Sequence, residues 1–179
     1  MQNKEKKVVE YVKSFIREVP DFPKKGILFY DITPVLGDPK GFSMLIKHFK
    51  ERYVNKKITK VVGIESRGFI FGGALADSLS AGFVPVRKRG KLPYKTVQKE
   101  YSLEYGTDVL EMHEDAITKD DRIILCDDLI ATGGTAQAVA ELIEQQGGKI
   151  IECAFVIELN FLKGRNKLLP REVHSILQY

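Results

Sequence analysis

No stretch of eighteen apolar residues occurs in the sequence, so a membrane-spanning helix is not expected. The opening Met-Gln-Asn-Lys-Glu-Lys-Lys lacks an apolar signal core, which makes the cytoplasm the expected compartment. Cysteine is scarce, with only Cys126 and Cys153. Both fall in apolar runs that read as buried strands. Small core thiols are the plain reading, and a disulfide or a nucleophile is the alternative. Histidine is scarce too: His48, His113 and His174 lie far apart and lack ligand spacing, so no protein-ligated metal is expected. Charge is only mildly unbalanced, at +4, too little by itself to argue for nucleic acid. The 179 residues, 44% hydrophobic and 29% charged, suffice for one domain, 1–179, with a sizeable core. No linker, internal repeat or low-complexity tract divides it.

What is present is concentrated in residues 122–135. Ile123, Ile124, Leu125 and Cys126 form a short continuous apolar run, the pattern of a strand buried on both faces. Asp127 and Asp128 close it. A loop of small residues follows, and then a helix with Ala136, Val139, Ala140 and Ile143 on one face. Free N–H groups at Ala131, Thr132, Gly133, Gly134 and Thr135, with a helix N-terminus behind them, make a cradle for phosphate. Carboxylates repel phosphate, so the acid pair is better suited to accept hydrogen bonds from hydroxyls nearby. A sugar phosphate meets both demands. No Gly-Lys-Ser/Thr follows the glycines, which excludes a Walker loop, and the spacing is wrong for a dinucleotide fingerprint.

The rest of the chain alternates strands and helices. Val8, Val12, Phe15, Ile16 and Val19 recur at helical spacing, predicting a helix over 4–19 that Pro20 stops. Residues 21–34, with two prolines and a glycine around an apolar centre, read as an ordered flap. Asp38 and Pro39 supply an N-cap and a first-turn proline for the next helix. Strands are expected at 60–65, 83–86 and 150–157, and an antiparallel one at 103–112. Gly147 and Gly148 end the helix after the central loop. The fold class is therefore α/β: an open, mostly parallel, Rossmann-like sheet flanked by helices. A small hood is expected from about 20–36 and 160–179.

In such a sheet, ligands bind beyond the carboxyl ends of strands. Three ends carry polar chemistry: Glu65, Ser66, Arg67 and Gly68; then Arg87 and Lys88; then the acid pair with its loop. Arg67 on a tight turn suits a bidentate grip on a diphosphate, against the alternative of a surface ion pair. Residues 87–99 hold six cations and no acid. That run reads as a mobile lid over a diphosphate, or else as a solvated or RNA-contacting face, although Tyr94 alone interrupts it with an aromatic.

Residues 123–135 closely resemble the phosphoribosyl-diphosphate (PRPP) signature of the type I phosphoribosyltransferases. The likeness extends over nearly the whole chain, and its details resemble the adenine-specific branch. They comprise Phe22-Pro23, Gly26-Ile-Leu-Phe and Asp31-Ile-Thr-Pro, then Gly63-Ile-Glu-Ser-Arg-Gly-Phe, Val86-Arg-Lys-Arg-Gly-Lys-Leu-Pro, Tyr101-Ser-Leu-Glu-Tyr-Gly, Leu162-Lys-Gly-Arg and the closing Ser-Ile-Leu-Gln-Tyr.

This resemblance implies transfer of the phosphoribosyl group from PRPP to adenine, giving AMP and diphosphate. It implies Asp127, Asp128 and 131–135 on ribose and phosphate. It places Glu65, Ser66, Arg67, Arg87, Lys88 and Lys91 around the diphosphate, with a cis peptide between Glu65 and Ser66. Adenine would stack between Phe29 and Leu129, its edge read by backbone groups of Leu28 and Tyr30; a plain core role for Phe29 is the alternative. Glu104 is the implied base, with Tyr105 beside it in a mobile catalytic loop of about 90–106. Arg67 is the third residue of that catalytic set. Mg²⁺ would arrive on the diphosphate without dedicated protein ligands. A homodimer is implied, with no nucleic-acid or membrane partner. Tyr30 departs from relatives that carry Arg there, and Lys24 and Lys25 depart from the commoner proline-rich flap. A hypoxanthine/guanine-type transferase and a non-catalytic PRPP-sensing regulator of nucleic acid remain the alternatives.

Overall fold

The computed structural model describes residues 2–102 and 106–179. The chain divides into two compact units, Met1–Arg52 and Tyr53–Tyr179.

In the first unit, α1 (Gln2–Lys13) is followed by β1 (Arg17–Pro20), which pairs antiparallel with β2 (Leu28–Asp31). The helix expected to reach Val19 therefore stops at Lys13, and Val19 lies opposite Phe29 on a strand. Val8 and Val12 are buried as their spacing predicts. A short α2 (Thr33–Gly37) leads to α3 (Pro39–Tyr53). Oδ2 of Asp38 accepts the N–H of Gly41 at 2.7 Å, the side-chain cap expected ahead of Pro39, and the hydroxyl of Tyr11 at 3.0 Å.

The second unit is built on a seven-stranded sheet in the order β5-β6-β4-β3-β7-β8-β9. Its strands are β3 (Lys60–Ile64), β4 (Gly82–Lys88), β5 (Thr96–Ser102), β6 (Thr107–His113), β7 (Arg122–Ile130), β8 (Lys149–Glu158) and β9 (Val173–Gln178). The five strands from β4 to β9 in that order run parallel, and the β5–β6 hairpin joins β4 antiparallel. From β3 the chain passes to β4 on one side, and later to β7 on the other. The order thus reverses between β3 and β7, which opens a crevice beyond their carboxyl ends.

Helices α4 (Gly68–Leu79) and α5 (Gly134–Gln145) follow β3 and β7. Ile123, Ile124, Leu125 and Cys126 are fully buried, as a continuous apolar run requires. The core gathers Val62, Leu125, Val139, Ile143 and Phe155 with the smaller side chains between them. Gly147 takes a left-handed backbone (φ 86°) at the end of α5, the role its position suggests.

Three further expectations differ from what folds. β7 does not end before the acids but runs through them to Ile130, because β8 continues to pair with it at Leu129↔Ile157 and Ile130↔Glu158. Residues 173–178, expected in a hood, form strand β9 at the sheet's edge, and two 3₁₀ turns (Asn160–Leu162 and Gly164–Leu168) precede it. Residues 96–102 of the expected lid form β5, paired along its length with β6.

Both cysteines are buried and unbonded to each other. Burial pushes the Cys153 thiol up to about 12 and the Cys126 thiol higher still, with Asp127 and Asp128 adding to the latter. Among the described residues, no helix is long and apolar enough to cross a membrane.

Candidate active site

A cavity of about 370 Å³ opens in the second unit where the strand order reverses. Its walls are Glu65, Ser66 and Arg67 after β3; Lys88 at the end of β4; Asp127 to Ile130 along β7; and 131–136 leading into α5. Three separate strand ends converge as the sequence reading requires. Leu129 is on the wall with them, and so are Tyr101 and Leu110, which that reading did not assign to the site.

The loop expected to cradle phosphate is shaped by backbone. Gly133 holds φ 78° at the N-cap of α5, a left-handed conformation that side chains resist. Gly134, Thr135 and Ala136 of the first helical turn line the cavity, so N–H groups with no partner inside the helix stand at its wall.

The acid pair is asymmetric. Asp127 Oδ1 accepts the N–H of Asp128 at 2.9 Å. Burial raises its carboxyl well above the usual carboxylate range, and neighbouring Asp128 raises it further. Asp128 Oδ2 instead accepts the Nε of Arg67. Gly68 explains how the two strand ends come so close: a Cβ there would lie 2.6 Å from Oδ1 of Asp127 and 3.0 Å from the Cys126 carbonyl oxygen. The peptide between Glu65 and Ser66 is cis.

The cationic residues divide by role. Arg87 and Lys91 are not on the cavity wall. The Nε of Arg87 donates to Oε2 of Glu65 at 2.8 Å, and its Nη1 donates to the carbonyl of Lys91 at 3.2 Å. Oε1 of Glu65 accepts the backbone N–H of Lys88 at 2.7 Å. Lys88 reaches the wall, and its Nζ pairs with Oδ2 of Asp108 at 3.0 Å; that carboxylate raises the lysine's affinity for its proton, and the lysine lowers that of Asp108.

Glu111, buried in β6, accepts the N–H groups of Lys91 and Leu92, each at 3.1 Å, and so fixes the turn after β4. The sequence signal for it was an acid on an alternating strand, which burial alone makes telling. Leu28, Phe29 and Tyr30 lie on β2 of the first unit, where Phe29 meets Phe22 edge-on at 5.1 Å. Glu104 and Tyr105 lie outside the described residues.

Residues 38–176 match the family model for the phosphoribosyl transferase domain. The chain belongs to the phosphoribosyltransferase family. Within it, the chain is 58% identical over 170 residues to the adenine phosphoribosyltransferase of Acidobacterium capsulatum, covering 95% of this chain and 94% of that one. The crystal structure of adenine phosphoribosyltransferase from Rhodothermus marinus superposes with a TM-score of 0.92 at 55% identity, over 97% of this chain and 99% of that chain. The Saccharomyces cerevisiae enzyme, crystallised with adenine and D-2,5-dideoxy-2,5-imino-altritol 1,6-bisphosphate, gives 0.91 at 44% identity over 96% of this chain and 99% of that chain.

Among the described residues, no group of three or more His, Cys, Asp or Glu could hold a metal ion. Of the carboxylates on the wall, Asp128 is engaged by Arg67, and Glu65 by Arg87 and Lys88. Such donors fit an ion that keeps its own water and phosphate ligands.

Proposed function

We propose that the chain transfers the 5-phosphoribosyl group of PRPP to adenine, yielding AMP and diphosphate. The observation that carries this is the meeting of a phosphate cradle, an acid pair and the Glu65–Arg67 turn in one cavity at the reversal of strand order. The 5-phosphate takes the N–H groups of Ala131, Thr132, Gly133, Gly134 and Thr135. Asp127 and Asp128 accept the ribose hydroxyls. The diphosphate lies against Ser66 and Arg67, with Lys88 supplying a further charge. Arg87 and Lys91 act from behind, through Glu65 and the turn after β4.

No covalent nucleophile is needed. The anomeric carbon becomes oxocarbenium-like as diphosphate departs, and preorganised cationic and N–H donors stabilise the leaving charge. Mg²⁺ carried on the diphosphate adds to that neutralisation when bound. Adenine attacks from the opposite face, stacked on Leu129 of the cavity wall; Phe29 and the backbone groups of Leu28 and Tyr30 are what the family resemblance assigns to the base. A 6-oxo purine would face a backbone carbonyl with its own acceptor and forgo that hydrogen bond, at roughly 0.5–1.5 kcal/mol. Glu104, with Tyr105 beside it, removes the proton from the ring nitrogen. The working form is a cytoplasmic homodimer acting on small molecules, with neither nucleic acid nor membrane as partner.

The test is product formation from adenine, hypoxanthine and guanine at fixed PRPP and Mg²⁺. AMP formation should dominate. Preference for a 6-oxo purine would move the chain to the other branch. No transfer at all, with RNA or DNA retained on a filter, would favour the regulator.

A further inference from the structure

The C-terminal crosspiece between β8 and β9 does something that neither its sequence nor the reaction requires of it. After β8 the chain turns through Leu159, whose N–H donates to the carbonyl of Ile130 at 3.0 Å, the last residue of β7 before the phosphate loop. Lys163 takes a left-handed backbone (φ 53°) and delivers Gly164 underneath that loop. The fit is backbone on backbone. A Cβ on Gly164 would overlap the carbonyl oxygen of Ala131 and come within 2.8 Å of the Gly133 nitrogen. A Cβ on Gly133 would overlap the carbonyl oxygen of Gly164 in return.

Gly164 does not have the left-handed φ of Gly133, so its backbone would accept alanine. Space alone forbids one. Gly133 is forbidden a side chain twice over.

The next residue pins the crosspiece. Arg165 grips the carboxylate of Glu158 with both arms of its guanidinium, Nε to Oε1 at 2.9 Å and Nη2 to Oε2 at 2.6 Å, and its Nη1 donates to the carbonyl of Val173 at 3.2 Å. Ser175 also donates to Glu158. Glu158 is buried at the end of β8, paired with Ile130 on β7. A planar two-bond fork of this kind fixes orientation as well as distance. Gly164 is therefore held against the loop through Arg165 and Glu158, in register with the strand that delivers the loop.

We propose that Gly164 is a positioning residue for the 5-phosphate: it is the floor against which residues 131–133 take their anion-binding shape, with Arg165 and Glu158 as its clamp. The inference rests on reading that loop as the phosphate site. It separates the two anion subsites, since the diphosphate turn at Ser66 and Arg67 is supported by different neighbours, Arg87 on Glu65 and Asp127 against Gly68.

Calorimetric titration of Gly164→Ala and Arg165→Lys with ribose 5-phosphate and, separately, with magnesium diphosphate tests it. In Gly164→Ala, affinity for ribose 5-phosphate should fall about 10- to 100-fold, with diphosphate affinity held within about twofold. KM for PRPP should rise, while kcat at saturation is largely kept. Arg165→Lys keeps the charge but loses the fork, and should show the same selective loss at smaller amplitude. If Gly164→Ala does not accumulate as folded protein, Arg165→Lys decides alone. Parental affinity for ribose 5-phosphate in the variants, or an equal loss for both ligands, overturns the proposal. Failure of the parent protein itself to bind ribose 5-phosphate overturns the functional reading instead.

Discussion

Glu65 and Arg87 face each other across the carboxyl ends of β3 and β4, Oε2 to Nε at 2.8 Å, while the second oxygen of Glu65 takes the backbone N–H of Lys88. One carboxylate thus ties together two of the three strand ends around the cavity. It lines the cavity with both oxygens already committed to these donors, which eases the difficulty of an acid set beside diphosphate. Glu65→Gln keeps the shape, yet its amide can offer an oxygen to only one of the two donors. A donor left unsatisfied costs about 1–3 kcal/mol. Steady-state kinetics should show KM for PRPP raised about tenfold or more, and thermal melts a Tm lowered by a few degrees.

Glu104 belongs to the reading by its place in the Tyr101-Ser-Leu-Glu-Tyr-Gly segment. Glu104→Gln should lower turnover by about 10²–10⁴-fold while PRPP still binds. Near-normal turnover would end its assignment as the base.

Asp127 is expected to oppose stability while serving function. Its carboxyl is raised by burial and by Asp128. As pH climbs through the unfolded value of about 4, the unfolded chain releases the proton freely and the folded chain does not. Stability attributable to this group therefore falls as pH rises. Asp127→Asn lacks the penalty, and its carbonyl oxygen still accepts the Asp128 N–H. Thermal melts without substrate should place its Tm above the parent's at pH 7, with the gap closing toward pH 4. Turnover should drop about 10- to 100-fold from the weakened hold on ribose hydroxyls.

Asp121 behaves in the opposite sense. Burial works to raise its carboxyl, but Lys60, the N–H and hydroxyl of Thr118 and the hydroxyl of Thr59 outweigh it and hold it at about 2. The stabilisation is complete above the unfolded value of about 4 and is lost as pH falls toward 2. Asp121→Asn should be less stable than the parent by about 1–3 kcal/mol in denaturant at pH 7. That difference should shrink between pH 4 and pH 2.

What the sequence made legible were segments whose fate is local. The run from Ile123 to Cys126 declares burial on both faces, the small residues after it declare a close-approach loop, and Ala136 to Ile143 declare a helix face. Segments decided by distant partners were read less well. Val19 continues a helical rhythm, yet β2 captures it, since strand pairing outweighs a weak amphipathic preference. Val173 to Gln178 carry little pattern, and β8 alone makes them a strand. Asp127 and Asp128 looked like a terminus because charge usually ends a buried strand; pairing with β8 carries the strand past them. Arg87 was assigned by its charge, but a guanidinium goes to the nearest carboxylate with the right geometry, and here that is Glu65.

The two buried thiols leave the surface without a cysteine side chain. With Cys126 and Cys153 shut inside the sheet and their protons held firmly, reagents that seek thiolates find none at neutral pH. A single cysteine introduced at exposed Tyr94 would take one fluorophore at one place. Movement of the segment between β4 and β5 could then be followed by fluorescence in the otherwise unaltered protein.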